Sequence, residues 1–144
     1  MKYNIYYWPF DWFGLWKEHD EGFENYPSVH EFVDRSINSK YNKTSILSYL
    51  KSGEVMMCTS AFQFPNPITG KRASKTVCYR TDGKRIWFDD IIELIENNDL
   101  CLPNSWLQEM MENNYRFRDL TDLDIDAMTS KLFNDLKSFK SDKG

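Results

Sequence analysis

The sequence predicts an α+β domain, a small antiparallel sheet with helices packed on it. Two observations lead to this class. Short runs rich in β-branched and aromatic residues flank an Asp-Gly turn, and apolar residues at helical spacing recur on both sides of them. The 144 residues suit a single domain over 1–144, whose end at 141–144 we expect to fray. The predicted element order is β–α–α–β–β–β–α–α–α.

The first elements are predicted from alternation and from a capping signal. Residues 1–8 alternate loosely between apolar and polar side chains, which is typical of a strand. Residues 9–27 are aromatic, acidic and irregular, so we expect a loop there. Ser28 and Glu31 have capping-box spacing and predict a helix that runs to about Asn38.

A helix and a hairpin are predicted in the middle of the chain. Thr44–Lys51 has apolar residues at helical spacing, and we expect Gly53 to end this helix in a left-handed conformation. Strands over 54–60 and 74–81 follow, joined by a long exposed loop. The Asp82-Gly83 pair then predicts a tight type I′ turn into a returning strand.

Three helices are predicted in the last third. Asp89 and Asp90 precede the first, Ile91–Asn97, where a carboxylate can accept free amides and suits the positive helix end. Pro103 opens the second helix. The third follows the capping sequence Thr121–Asp124. Its apolar stripe at helical spacing consists of Ile125, Met128, Leu132, Leu136 and Phe139.

The stretch 80–90, RTDGKRIWFDD, has two interpretations. Its cations, tryptophan and carboxylates could form a catalytic centre, or they could form a turn, a strand and a helix start. An acid–base pair needs a histidine or a nucleophile within reach, and none is supplied nearby. We therefore expect a structural role for this stretch and no catalysis.

Composition bounds the chemistry and the compartment. The three cysteines show no metal-ligand spacing, and their odd, small number predicts reduced thiols in a cytoplasmic protein. Cys58 and Cys78 lie on adjacent predicted strands and could be close in space, but we expect them to be free and buried. His19 and His30 are the only histidines, and we expect both at the surface, with His19 charged beside its acidic neighbours. No apolar run approaches ~20 residues, so no membrane span is predicted. Neither a metal nor a cofactor is expected.

Charge is unevenly distributed along the chain. Two lysines stand against seven acids in 1–34, ten cations against two acids in 35–87, and six cations against thirteen acids in 88–144. The net charge is −4, and such a pattern favours internal complementarity with leftover faces for partners. A second interpretation is that the basic central loop holds nucleic acid. The cations of that loop are Lys71, Arg72 and Lys75.

An aromatic segment followed by acids predicts a binding surface. Most of residues 6–16 are aromatic, and we expect about half of them in the core and the rest at the surface. Tryptophan and tyrosine are favoured anchors at protein interfaces. The helix acids Asp124 and Asp135 are also expected to face water. The predicted partner-binding residues are Asp11, Trp12, Trp16, Glu18, Asp20, Glu21, Glu24, Asp122 and Asp126.

Residues 49–115 carry the motifs YLKSG, NPITGKR, CYRTDGKRIWFDD and LPNSWL. This series resembles a family of small bacterial proteins, some of which look like immunity proteins of contact-dependent toxin systems. The segment Lys84–Ile86 departs from the pattern, because the family often has another aromatic residue there. The matching residues are Tyr49, Leu50, Lys51, Ser52, Gly53, Pro67, Gly70, Arg80, Thr81, Asp82, Gly83, Trp87, Asp90, Leu102 and Pro103.

The resemblance implies a cytoplasmic immunity protein that binds and neutralises one cognate bacterial toxin domain by occlusion, without catalysis of its own. The acidic chain suits a basic toxin such as a nuclease, because opposite charge speeds their encounter. The alternative is a small nucleic-acid-binding regulator that uses the basic central hairpin. An enzyme that depends on a thiol or a histidine is the least expected class.

Overall fold

The computed structural model describes residues 3–19, 23–34, 41–59, 66–70, 77–116 and 124–141. Within these residues four helices pack on a four-stranded sheet, which confirms the α+β class. The strands are β1 (Trp12–Phe13), β2 (Glu54–Thr59), β3 (Val77–Thr81) and β4 (Ile86–Phe88). The helices are α1 (Lys43–Lys51), α2 (Ile91–Asn98), α3 (Asn104–Glu112) and α4 (Ile125–Ser141). Single 3₁₀ turns cover Lys17–His19 and Val29–Phe32.

The sheet is mixed, with strand order β1-β4-β3-β2. The neighbours β2 and β3, and β3 and β4, are antiparallel, as predicted. The expectation of a purely antiparallel sheet is wrong at β1, which runs parallel to β4 with Trp12 opposite Ile86. Parallel pairing is possible because the chain between these two strands is long enough to cross over, through α1, β2 and β3.

The N-terminal segment differs most from the prediction. In place of a strand over 1–8, Asn4 and Tyr7 exchange backbone hydrogen bonds of 3.2 and 3.0 Å and close a tight turn. This turn places Ile5 and Trp8, three residues apart, in the core together. Alternation along a strand would have sent residues three apart to opposite faces.

The helix predicted from Ser28 to about Asn38 is also wrong. The Ser28 hydroxyl does accept a hydrogen bond from the His30 amide, but the helix is a single 3₁₀ turn that ends at Phe32. Beyond it the chain is extended, and Val33 forms an isolated bridge with Leu100. That tertiary pairing replaces further helical hydrogen bonds; residues 35–40 lie outside the described part.

The predicted hairpin is confirmed, but its turn is not of type I′. The strand pairing ends at Thr81 and Ile86, so the turn has four residues, and Gly83 is the one with a left-handed φ, of 97°. The Asp82 carboxylate accepts the amides of Lys84 and Arg85, at 3.0 and 2.8 Å. This side chain stabilises the turn and makes a second left-handed residue unnecessary.

Gly53 ends α1 for a reason other than the predicted one. It is absent from the residues with a left-handed φ. A Cβ at this position would overlap the Trp87 ring and press on Arg80 Cβ. Glycine is needed here because the backbone passes close to the β4 tryptophan.

The core is dominated by aromatic rings from the N-terminal segment. Trp8 packs edge-on against Trp12 at 5.0 Å between ring centroids, and Phe13 against Trp16, also at 5.0 Å. Helix α4 contributes Leu132 and Leu136 to this core, as predicted; the side chain of Phe139 is not among those described. Among the described residues, no helix has the length and apolar character needed to cross a membrane.

The cysteine prediction is wrong for two of the three residues. Cys58 and Cys78 lie directly opposite each other on β2 and β3 and form a disulfide, although neither is buried. The expectation of reduced thiols rested on the odd, small number of cysteines, which does not show that the strand register places two of them directly opposite each other. Cys101 is free and buried, as expected, and burial raises the pKa of its thiol to about 11.

Candidate functional site

The motif residues of the central segment bond to one another. The Tyr49 hydroxyl of α1 donates to the buried Asp82 carboxylate in the turn. The Arg80 guanidinium of β3 donates to the carbonyl oxygens of Lys51 and Gly53, each at 3.0 Å. The YLKSG and RTDG motifs therefore encode one structural network that ties the end of α1 to the hairpin, as the structural interpretation predicted.

Asp89 and Asp90 have roles other than the predicted cap. The Asp89 carboxylate accepts the Cys78 amide at 3.1 Å and lies 3.5 Å from Arg80 Nε, so it bonds to β3 rather than to α2. Asp90 occupies the cap position of α2 but makes no capping hydrogen bond with its side chain. Burial, followed by the charge of Asp89, raises the pKa of Asp90 to about 8.

His19 is buried, contrary to the predicted charged surface histidine. Its Nδ1 accepts the Trp16 amide at 3.3 Å, and its Nε2 lies 3.7 Å from Asp90 Oδ2. Burial lowers the pKa of His19 to about 4, although Glu18 acts in the opposite direction. The neutral ring is thus a structural element of the core. His30 is exposed, as predicted.

Trp12 and Trp16 are not at the surface, so the expectation that they anchor a partner there is wrong. Trp12 is 1% exposed and Trp16 is fully buried. Trp12 belongs to β1, which is paired with β4 and covered by other aromatic rings. The irregular spacing of the aromatics concealed this, because their packing partners are distant in sequence.

The predicted acidic residues fall into three groups. Asp11, Glu24 and Asp126 are exposed. Glu18 is engaged within the fold, since its carboxylate accepts the Ser28 hydroxyl at 2.6 Å and the Val29 amide at 2.8 Å. Three residues lie outside the described part: Asp20, Glu21 and Asp122.

A groove of about 220 Å³, here called the α4 groove, brings the two predicted acidic surfaces together. Asp11 from the aromatic segment and Asp135 from α4 both line it, and Lys131 of α4 lies 3.5 Å from Asp11. Asp135 has no ion pair with the described residues. The complete lining is Asp11, Trp12, Gly83, Lys84, Ile86, Met128, Lys131, Leu132 and Asp135. Apolar side chains thus lie among charged ones.

A second cavity, here called the polar cavity, has about 290 Å³ and lies between α1, the hairpin turn and α3. Its lining is Tyr49, Asp82, Arg85, Glu109, Met110, Asn113 and Arg116. Burial, then the hydrogen bond to Asp82, raises the pKa of Tyr49 far above its ordinary value. Burial tends to raise the pKa of Glu109, but bonds from Arg85 and Lys84 outweigh it and lower the pKa.

Two exposed tyrosines were not among the predicted site residues. Tyr6 is 75% and Tyr7 41% exposed, at the tip of the N-terminal turn. The Asn4 side chain holds this turn by accepting the Tyr6 amide at 2.8 Å, and Tyr3 stacks on Tyr7 at 5.8 Å. An asparagine at the first position of a turn was the available signal.

In the described part of the chain, no group of three or more His, Cys, Asp or Glu side chains could hold a metal ion. Comparison with protein-family models, curated proteins and solved structures found no match. The resemblance of residues 49–115 to immunity proteins therefore stays a prediction. It concerns residues whose contacts are structural, so the candidate site is the α4 groove rather than the motif.

Proposed function

We propose that this chain is an immunity protein that binds one cognate bacterial toxin domain through the α4 groove and occludes it, without catalysis of its own. The proposal depends on one observation. Asp11 and Asp135 both line a single groove whose other lining residues include Trp12, Ile86, Met128 and Leu132. The proposed compartment is the cytoplasm, where a toxin that attacks nucleic acid would meet its target. The Cys58–Cys78 disulfide does not support this compartment, because disulfides are rare in cytosolic proteins.

Charge supports a basic partner. Asp126 and Asp135 lie on α4 and have no ion pair with the described residues, while Lys131 is paired with Asp11. Unpaired surface carboxylates attract a cationic domain over several ångströms and raise the rate of encounter. The Asp11–Lys131 pair is neutral as a unit, so the attraction proposed here depends on Asp126 and Asp135 rather than on Asp11.

Apolar contacts would slow the dissociation of the proposed complex. Met128 is half-buried in the groove, and Phe133 on the same helix is 40% exposed. Because the helix is fixed by Leu132 and Leu136 in the core, these two side chains are presented on a rigid support. Preorganised apolar residues reduce the entropy lost on binding and lengthen the lifetime of a complex.

The test measures association and dissociation rates with a candidate toxin domain, sought in the gene next to the one that encodes this chain. Replacing Asp126 and Asp135 by Asn should slow association several-fold at low salt and leave dissociation nearly unchanged. Replacing Met128 by Ala should instead raise the dissociation rate, with a loss of about 2 kcal/mol of binding free energy if Met128 is a hot spot.

The matched control removes two negative charges elsewhere, at the exposed Glu54 and Glu93, each replaced by Gln. This variant should associate like the parent, apart from the small effect of net charge. If the groove variant and the control behave alike, the toxin does not bind at the α4 groove. If the parent neither binds nor neutralises the toxin, the immunity proposal is wrong.

The nucleic-acid alternative has less support. Lys84 and Arg85 of the hairpin bond to Glu109, and Arg80 to Asp89, so the described hairpin cations are engaged. The loop residues Lys71, Arg72 and Lys75 lie outside the described part. We expect no measurable binding to RNA or DNA near physiological salt, whereas tight binding that weakens steeply with salt would favour the regulator.

A further inference from the structure

The carboxylates of the polar cavity are already engaged by the protein. Asp82 accepts two backbone amides through Oδ1 and the Tyr49 hydroxyl through Oδ2. Glu109 accepts Arg85 Nη2 at 2.9 Å and Lys84 Nζ at 3.2 Å. The oxygens of both carboxylates thus already accept hydrogen bonds from within the protein, while both groups keep their negative charge.

The donors of the cavity are less fully used. Arg116 lines the cavity and is exposed, and its guanidinium has neither a hydrogen bond nor an ion pair with the described residues. Arg85 lies 5.1 Å above the Trp106 ring, and its buried Nε has no acceptor among the described residues. These guanidinium donors can therefore bind a ligand that accepts hydrogen bonds and carries a negative charge.

The backbone before Arg116 ends helix α3. Asn114 and Tyr115 are consecutive non-glycine residues with left-handed φ angles of 54° and 56°, a conformation in which helices commonly end. It is held by the Tyr115 amide, which donates to the Met110 carbonyl at 2.8 Å, and by the Tyr115 hydroxyl, which accepts the Asn42 amide at 3.3 Å. The turn fixes where Arg116 meets the cavity.

We propose that the polar cavity binds a small organic monocarboxylate, whose carboxylate pairs with Arg116 and Arg85. A planar carboxylate suits a guanidinium, which can donate two parallel hydrogen bonds to it. The nearby charges of Asp82 and Glu109 oppose a doubly charged phosphate more than a singly charged carboxylate. Met110 offers an apolar surface to the body of the ligand. This site is independent of the proposed immunity function.

The experiment follows backbone amide chemical shifts while sodium butyrate is added to the full chain, with sodium chloride and sodium phosphate titrated separately at equal ionic strength. We expect saturable shifts at Arg85, Arg116 and their neighbours with butyrate and weaker ones with phosphate. Arg116→Gln should raise the dissociation constant for butyrate about tenfold, equivalent to the loss of about 1.4 kcal/mol.

A matched control is Lys51→Gln, which removes an exposed cation that is not part of the cavity lining and should leave butyrate binding unchanged. Arg116 is exposed, so its replacement should not unfold the chain. Equal shifts with sodium chloride, or unchanged butyrate binding in Arg116→Gln, would overturn the site. Equal or tighter binding of phosphate would overturn the assignment to a monocarboxylate.

Discussion

In the hairpin region the polar side chains of α1, β3 and the turn bond within the fold, whereas two acidic side chains of α4, Asp126 and Asp135, have no ion pair with the described residues. Asp82 is 6% exposed and accepts three hydrogen bonds, while Asp126 is exposed and has no ion pair with the described residues. The difference teaches that the recognisable motif of this chain specifies its fold. The residues available to a partner lie where the sequence carries no motif.

The largest expected effect on stability tests whether the aromatic segment stabilises the core or binds a partner. Trp16 is fully buried, so Trp16→Ala should lower the free energy of unfolding by about 3–5 kcal/mol. Denaturant unfolding measures the loss directly. An unchanged stability together with faster dissociation from the toxin would mean that Trp16 is a surface anchor after all.

The hairpin network should respond almost as strongly. Asp82→Ala leaves the Tyr49 hydroxyl and the amides of Lys84 and Arg85 without their acceptor, and we expect a loss of about 3 kcal/mol. Chemical denaturation should show this loss. Tyr49→Phe, which removes one of the three bonds, is the graded control and should cost about 1 kcal/mol. Equal costs for the two variants would contradict the network.

The disulfide is expected to contribute next. Cys58 and Cys78 are 20 residues apart, so closing this loop should stabilise the fold by about 2–3 kcal/mol. In a buffer without reductant, the free energy of unfolding of the double variant with Ser at both positions should be lower than that of the parent by this amount. Parent protein fully reduced with dithiothreitol should match the double variant; a parent whose stability is insensitive to reductant would contradict the contribution.

Acidification should weaken the fold through His19. The unfolded histidine takes up a proton near pH 6.5, whereas burial keeps the folded one neutral until about pH 4. The unfolded state therefore binds more protons between these values, and stability falls as the pH falls from 6.5 to 4. In His19→Gln this loss is absent, so the parent's stability relative to the variant should fall by ~1–3 kcal/mol across the window.

Asp90 makes the free energy of unfolding depend on pH in the opposite direction to His19. Its raised pKa, about 8, means that its contribution is present at low pH and is lost as the pH rises through 8. Because His19 Nε2 lies 3.7 Å from Asp90 Oδ2, the two groups can be coupled, and repeating the comparison in an Asp90→Asn background isolates the histidine. A parent-minus-variant difference that stays constant from pH 6.5 to 4 would contradict the buried neutral ring.

The smallest effect on stability is expected for two acidic residues of α4, of which Asp135 lines the α4 groove. Asp126 and Asp135 have no ion pair with the described residues, so replacing both by Asn should change the free energy of unfolding by less than about 0.5 kcal/mol. Thermal or denaturant unfolding checks this. A loss of 1 kcal/mol or more would mean that these carboxylates stabilise the fold.

Local signals made the central region predictable. The Asp82-Gly83 turn, the end of α1 at Gly53 and the Pro103 start of α3 depend on residues close in sequence, and each element was placed within a few positions. The details failed where a distant group decides them. Gly53 is needed because Trp87 lies against it, and the turn type is set by a carboxylate rather than by a second left-handed residue.

The N-terminal segment and the site were less predictable for the same reason. Trp12 joins β4 across more than seventy residues of chain, and His19 meets Asp90 across a similar separation. No local pattern records such contacts. The α4 groove depends on the same kind of approach, since Asp11 and Asp135 come from opposite ends of the chain. The acidic residues were predictable as exposed, but their meeting at one groove was not.

The most direct measurement of the central claim is amide hydrogen–deuterium exchange of the chain alone and with the proposed toxin partner bound. We predict slower exchange in 125–137 and around Asp11 in the complex, with 43–58, which covers α1 and most of β2, unchanged. Protection confined to 43–58, or none within α4, would contradict the account that the motif region maintains the fold while the α4 groove binds the partner.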